Sequence, residues 1–251
     1  MRNRIFLIMA TLVFWSCTKE RPLVFLNETY EGFSQTQNES EPTKVVIDIP
    51  IATPKNTVSD SINLALYNFI KDVIYLDEKP GVFSSYEELT TSFISSYEEL
   101  KSKYPEEIEW EANIKGEIVF QTEKLLNIKL EYYVFTGGAH GYFGVKSFIF
   151  DIPSGRQLTQ QDLFSDLENF TLLIEAKFRN KFQIDLTQNI NSTGFMFHND
   201  TFHLPENIFI TEDSILLVYN TYEIASYADG IQELIIPLDE VQTFLKFDIA
   251  D

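Results

Sequence analysis

The residues of this chain that could do chemistry are few: three histidines, one cysteine, and carboxylates spread along 251 positions. His140 stands in "FTGGAHGY", Phe135 to Tyr142, where Gly137, Gly138, Ala139 and Gly141 surround it between two apolar runs. An imidazole on such a loop could work as an acid–base group if a carboxylate such as Glu223 came within hydrogen-bond reach. The plainer reading is a hairpin tip, in which glycine supplies positive φ and close backbone approach and His140 is solvated or bonded to the turn. His198 and His203 lie five apart in "FMFHNDTFHLP" with Asp200 between them. Histidine and carboxylate ligate zinc or iron, but this spacing matches no strong metal motif, so no metal or other cofactor is expected. P-loop, G-x-S-x-G and H-E-x-x-H patterns are missing, and enzyme activity is not expected. Tyr222, Glu223 and Tyr227 flank a turn that ends at Gly230. Tyrosines there suit either an interface or the packed edge of a sheet.

The cysteine points to a compartment. "MRNRIFLIMATLVFWSC" places Arg2 and Arg4 before an apolar run from Ile5 to Trp15 that is too short to span a bilayer, then Ser16 and Cys17. The stretch resembles a bacterial lipoprotein signal, with Phe14 and Ser16 suiting the positions before the cysteine. Residues 1–17 are therefore expected to be a signal peptide ending at a lipidated Cys17, which holds the protein to a membrane of the cell envelope. Loss of Arg2 and Arg4 would take the net charge from −19 to −21, and no cysteine would remain for a disulfide. Such an acidic surface excludes nucleic acid, whose phosphates need lysine and arginine, and favours encounter with cationic partners.

These residues must be held by elements that the hydrophobic pattern outlines. "PLVFLNETYEGF" and "KVVIDIPIA" read as strands. "SDSINLALYNFIKDVIYL" reads as a helix capped near Ser59 or Ser61, with Ile62, Leu66, Phe69, Val73 and Leu76 on one face. The segment SSYEEL occurs twice, at Ser84 and Ser95, an offset of close to three helical turns. That spacing predicts one long helix with the stripe Tyr86, Leu89, Phe93, Tyr97, Leu100 and Tyr104. From Trp110 the period changes to two, clearest at Ile128, Leu130, Tyr132 and Val134, and Gly137 to Gly141 connect two of these strands. A further helix follows in "DLENFTLLIEAKFRNKF", with Leu167, Phe170, Ile174, Lys177 and Phe178 near its seam. Two strands, the turn "SYADG", the strand "IQELIIPL" and a short helix capped by Asp239 close the chain. The expected fold class is α+β: antiparallel sheets with helices packed on one face, in two α/β halves, 18–125 and 126–251, forming one body.

Two segments carry a family resemblance. "YYVFTGGAHGYFGVKSFIFDIPSGRQLTQQDLF" resembles the central signature of a bacterial envelope family, and "NIFITEDSILLVYNTYEIASYADGIQELIIPLDEV" resembles its C-terminal signature. The strand and helices before Trp110 are similar to the PdaC-like domain that usually precedes them. The paired domain is similar to the extracellular part of RsiV-type anti-sigma factors, which bind lysozyme, and to the N-terminal region of PdaC-type peptidoglycan deacetylases. The deacetylase catalytic domain with its metal-binding residues, the sigma-binding segment and a transmembrane helix are not found here. The resemblance implies a lipid-anchored binding protein that recognises a cationic protein such as lysozyme, or a cell-wall fragment of peptidoglycan. Gly137, Gly138, Ala139, His140, Gly141, Tyr222, Glu223 and Tyr227 would border its site. Two alternatives stay open: a cell-wall hydrolase accessory or weak enzyme using His140, and a structural lipoprotein without a soluble ligand.

Overall fold

The computed structural model describes residues 22–35, 42–76, 81 and 83–247. Cys17 and the signal segment lie outside the described residues. β1 (Val24–Phe33) and β2 (Lys44–Thr53) pair antiparallel over their full length. Alternation puts Val45, Ile47 and Ile49 of β2 on one fully buried face. α1 (Thr57–Ile74) then begins at Asn56, earlier than the expected Ser59 or Ser61. Asn56 accepts from the amides of Val58 and Ser59, and the Ser59 hydroxyl accepts from the Asn56 amide, a reciprocal capping box. The buried stripe of α1 is Ile62, Leu66, Ile70 and Ile74. Phe69 and Val73 flank it, and Leu76, past the last turn, is exposed.

α2 (Tyr86–Lys103) is the single helix that the doubled SSYEEL predicts, capped by Ser85. The eleven-residue offset does bring Tyr86 and Tyr97 to the same buried face, while Tyr104 follows the last turn and is exposed. β3 (Glu111–Gln121) returns parallel to β2, and α1 and α2 form the crossover that such a pairing requires. Among the described residues this is the one departure from an antiparallel arrangement. β4 (Leu125–Phe135), β5 (Tyr142–Asp151) and the two-residue β6 (Arg156–Gln157) complete a six-stranded sheet in the order β1-β2-β3-β4-β5-β6. Residues 125 and 126 are thus the first of β4, inside this sheet.

The rest of the chain builds a second core. α3 (Gln160–Leu163) and α4 (Leu167–Lys181) precede a small antiparallel sheet of β7 (Asn207–Ile210), β8 (Ser214–Tyr219) and β9 (Gln232–Pro237). Phe170, Ile174 and Phe178 of α4 are buried against Ile208, Ile210, Ile215 and Leu217. The ring of Phe178 meets those of Phe182, Phe195, Phe197, Phe202 and Tyr219 within 5.9 Å. Lys177 stays at the rim of this seam, where it pairs with Glu240. The final helix, α5 (Leu238–Val241), starts at Pro237 rather than at a capping Asp239, and passes into a 3-10 turn over 242–244. Among the described residues no helix is long and apolar enough to cross a membrane. The protein is α+β, with two sheet-containing halves.

Side-chain amides join the halves. β6 covers only the end of β5, leaving the outward backbone groups of Val145 and Ser147 to find other partners. The Val145 amide donates to Asn220 Oδ1 at 2.9 Å, and Asn220 Nδ2 donates back to the Val145 carbonyl at 2.9 Å. The Ser147 amide donates to Asn207 Oδ1 at 3.0 Å, and its hydroxyl to the Ile208 carbonyl at 2.6 Å. Asn127, fully buried on β4, donates to Ser147 Oγ and the Phe148 carbonyl at 3.0 Å and accepts from the Ile210 amide at 2.8 Å.

Asn127→Leu keeps the volume but strands the Ile210 amide and other polar groups. It is expected to lower stability by about 3 kcal/mol, since each buried unsatisfied group costs roughly 1–3 kcal/mol. The urea midpoint should drop with the slope unchanged. Phe178→Ala empties the centre of the second core and should cost about 3–5 kcal/mol in the same assay.

Candidate functional site

β4 ends at Phe135 and β5 begins at Tyr142, the two ends expected from the sequence. Gly137 and Gly138 have φ of +92° and +89°, a region that strains any residue with a Cβ. They turn the chain so that Gly138, Ala139 and His140 form an exposed tip while Gly141 is buried. His140 Nδ1 lies 2.9 Å from the carbonyl oxygen of Gly141, which can only accept, so this nitrogen carries the proton. The same carbonyl accepts from the Tyr227 hydroxyl at 3.1 Å, across 86 positions of sequence. The rings of His140 and Tyr227 stack with centroids 3.7 Å apart and planes inclined by 18°.

The loop and the tyrosine turn are therefore one surface. Tyr222 adds its ring 5.8 Å from that of Tyr227, and both are exposed. Tyr222 is held at φ +71°, unusual for a bulky residue and a mark of strain that the surrounding structure imposes. Beside the stack lies a cleft of 320 Å³, lined by Val73 of α1 with Tyr132, Val134, Thr136, His140 and Tyr142. Burial pushes the Tyr132 phenol well above the usual tyrosine range, with Tyr142, Glu206 and Glu223 adding to the effect.

Glu223 has a different place from the one that an acid–base pair with His140 needs. Its carboxylate accepts from the amides of Glu206 at 2.9 Å and Asn220 at 2.8 Å, and no hydrogen bond joins it to His140. Burial raises its pKa above the ordinary glutamate value; the neighbouring Glu206 acts the same way, against the two amides and His203. By gripping the Asn220 backbone, Glu223 steadies the side chain that holds Val145. Val145 is three residues from Tyr142, so this clamp sets where the tyrosine turn meets the loop. Glu223 is a positioning residue. Asn220 was not singled out from sequence; its signal is an asparagine directly after the apolar strand "SILLVY", where it reads as a turn former.

His198 and His203 do not converge on a metal. His203 Nδ1 donates to the Leu204 carbonyl at 3.0 Å, and its ring packs on Phe197 and Tyr219. His198 opens a separate 3-10 turn. Among the described residues no three His, Cys, Asp or Glu side chains are grouped to hold an ion.

Comparison with known families and structures bears on both segments. Residues 36–142 match the family described as deacetylase PdaC, and residues 161–239 match a family described as a protein of unknown function, DUF3298. The His140–Tyr227 stack therefore joins one matched region to the other. A DUF3298 family member from Bacteroides fragilis NCTC 9343 superposes with a TM-score of 0.69 at 22% identity, covering 90% of this chain and 94% of that one. A DUF3298 family protein from Pseudomonas aeruginosa PAO1 gives 0.59 at 21% identity, covering 90% and 95%. At these identities the likeness is one of fold. Among curated proteins none matches the chain. The chain thus matches, in sequence order, a PdaC-type region and a DUF3298 region, the paired arrangement that the elements before Trp110 and the two later signatures together resemble.

Proposed function

We propose that this chain is a lipid-anchored binding protein of the cell envelope that recognises a cationic protein, lysozyme-like by resemblance, through the joined GGAH loop and tyrosine turn. The observation that carries the reading is the 3.7 Å stack of His140 on Tyr227, with the exposed Tyr222 beside it. Tyrosines and a histidine presented together on a surface, one of them in a strained backbone, suit recognition: they offer broad contact area with few rotamers to freeze. His140 Nδ1 is held by Gly141 and Glu223 by two backbone amides, so the two are not paired with each other. The net charge of −19 would speed encounter with a basic partner. Support for the anchor is the signal-like segment ending at Cys17.

The test is binding of residues 18–251 to lysozyme at low and at physiological salt. Saturable binding that weakens steeply as salt rises is expected. Absence of binding at both would remove the lysozyme-like partner, and binding indifferent to salt would remove the electrostatic part. A second expectation separates recognition from folding. Tyr222→Gly should weaken lysozyme binding about tenfold or more, as loss of an exposed aromatic anchor does. The same change relieves a left-handed backbone worth about 1 kcal/mol, so thermal stability should hold or rise. A parallel fall in melting temperature and affinity would make Tyr222 a packing residue.

A further inference from the structure

The six-stranded sheet closes its two long sides differently. On β5 the outward groups of Val145 and Ser147 are taken by Asn220 and Asn207. On β1 the phase of the ladder follows from Ser34, whose amide donates to the Thr43 carbonyl at 2.9 Å. Counting back by twos in an antiparallel pair, residues 32, 30, 28, 26 and 24 direct their backbone groups to β2. Phe25, Asn27, Thr29, Glu31 and Phe33 direct theirs away, where no strand pairs with them among the described residues. Edge strands are usually blunted by a bulge, a proline, a lysine or short length. β1 runs for 10 residues in unbroken register without proline, lysine or arginine. Val24, Leu26 and Phe33 are 49%, 57% and 49% exposed along it.

Charge selects the occupant. β1 carries Glu28 and Glu31, and α2 runs beside it with Glu87 and Glu98. Glu31 and Glu98 line a groove of 470 Å³ together with Gly32, Phe33, Thr91 and Ser95. The lysine at that end, Lys44, is paired with Glu111 at 3.1 Å. A second copy of β1 would set carboxylates against carboxylates, which disfavours pairing. We propose that the β1 edge is a strand-addition site for an extended basic segment of a partner protein. The backbone of that segment pairs with the five outward residues, and its lysine or arginine side chains lie against Glu28, Glu31 and Glu98. β2 and β3 separate this edge from the GGAH loop in strand order, so the site stands apart from the binding surface proposed above.

The probe is a fluorescein-labelled decapeptide alternating lysine and valine, titrated against the full chain in nonionic detergent. Amide exchange is followed on the same samples. Saturable binding is expected, with slowed exchange at the amides of Phe25, Asn27, Thr29, Glu31 and Phe33. A decapeptide alternating glutamate and valine should not bind. Thr29→Pro removes one outward N–H and no backbone bond to β2, a place where edge strands accept proline; the side-chain bond from its hydroxyl to Asp48 at 3.3 Å is lost as well, and Thr29→Val, which loses that bond alone, is the control. Thr29→Pro should weaken binding about tenfold, the scale of one hydrogen bond. Replacing Glu28 and Glu31 together by Gln should weaken binding and flatten its salt dependence. Equal binding of the acidic peptide, or binding that leaves those five amides exchanging as before, overturns the proposal. So does protection of β1 that rises with protein concentration in the absence of peptide, which would make a second copy the occupant. If Thr29→Pro does not fold, the double glutamine variant and the exchange pattern of the unaltered chain decide.

Discussion

The outward edge of β5 is the constraint on which the rest of the molecule depends. A strand of 10 residues meets a partner of two, so backbone groups at Val145 and Ser147 would be left without hydrogen bonds inside the protein. Backbone donors and acceptors in that position must be satisfied. The second half satisfies them with asparagine side chains in place of a seventh strand. A primary amide carries one donor side and one acceptor side, so Asn220 can meet the N–H and C=O of a single residue at once. Asn127 works in reverse, reaching from β4 to the Ile210 amide on β7. The apolar contact of Val145 with Phe209 and Val218 then packs against this polar seam.

The candidate site follows from the same seam. Asn220 directly follows β8 and begins the turn that carries Tyr222, Glu223 and Tyr227, so fixing it to Val145 brings the turn to the hairpin at Gly141. Glu223 supports the arrangement from behind, its charge held in a half-buried place by two amides. What reaches the surface is aromatic: the stack of His140 on Tyr227 and the ring of Tyr222. The binding role proposed for this surface would leave the short-range contact there to rings, with the acidity of the chain acting at longer range.

Local features of this fold were open to reading in the sequence. Alternation located β4, and the glycines of "FTGGAHGY" marked both ends of the hairpin loop to the residue. The doubled SSYEEL predicted one helix because eleven residues return to nearly the same face. Errors arose where two neighbouring signals compete. Ser59 looks like a cap but serves as the third residue of a box opened by Asn56, and Leu76 continues a stripe that the helix has already left. The meeting of His140 with Tyr227 was not legible, since it depends on how one sheet docks on another across 86 positions. Asn127 did leave a trace, a lone amide inside the apolar run "LLNIKL". Only the docked strand β7 shows what that amide is for.

The asparagine seam also bears on whether the halves can stand apart. The two matched regions look like modules that could be shuffled independently. Yet the halves of the fold complete each other's backbone: without Asn207 and Asn220 the amides of Val145 and Ser147 on β5 lose their partners, and without Asn127 so does the Ile210 amide on β7. Each of these groups that stayed buried without its partner would cost roughly 1–3 kcal/mol. The two halves therefore complete each other, kept together by a few carboxamides at their border.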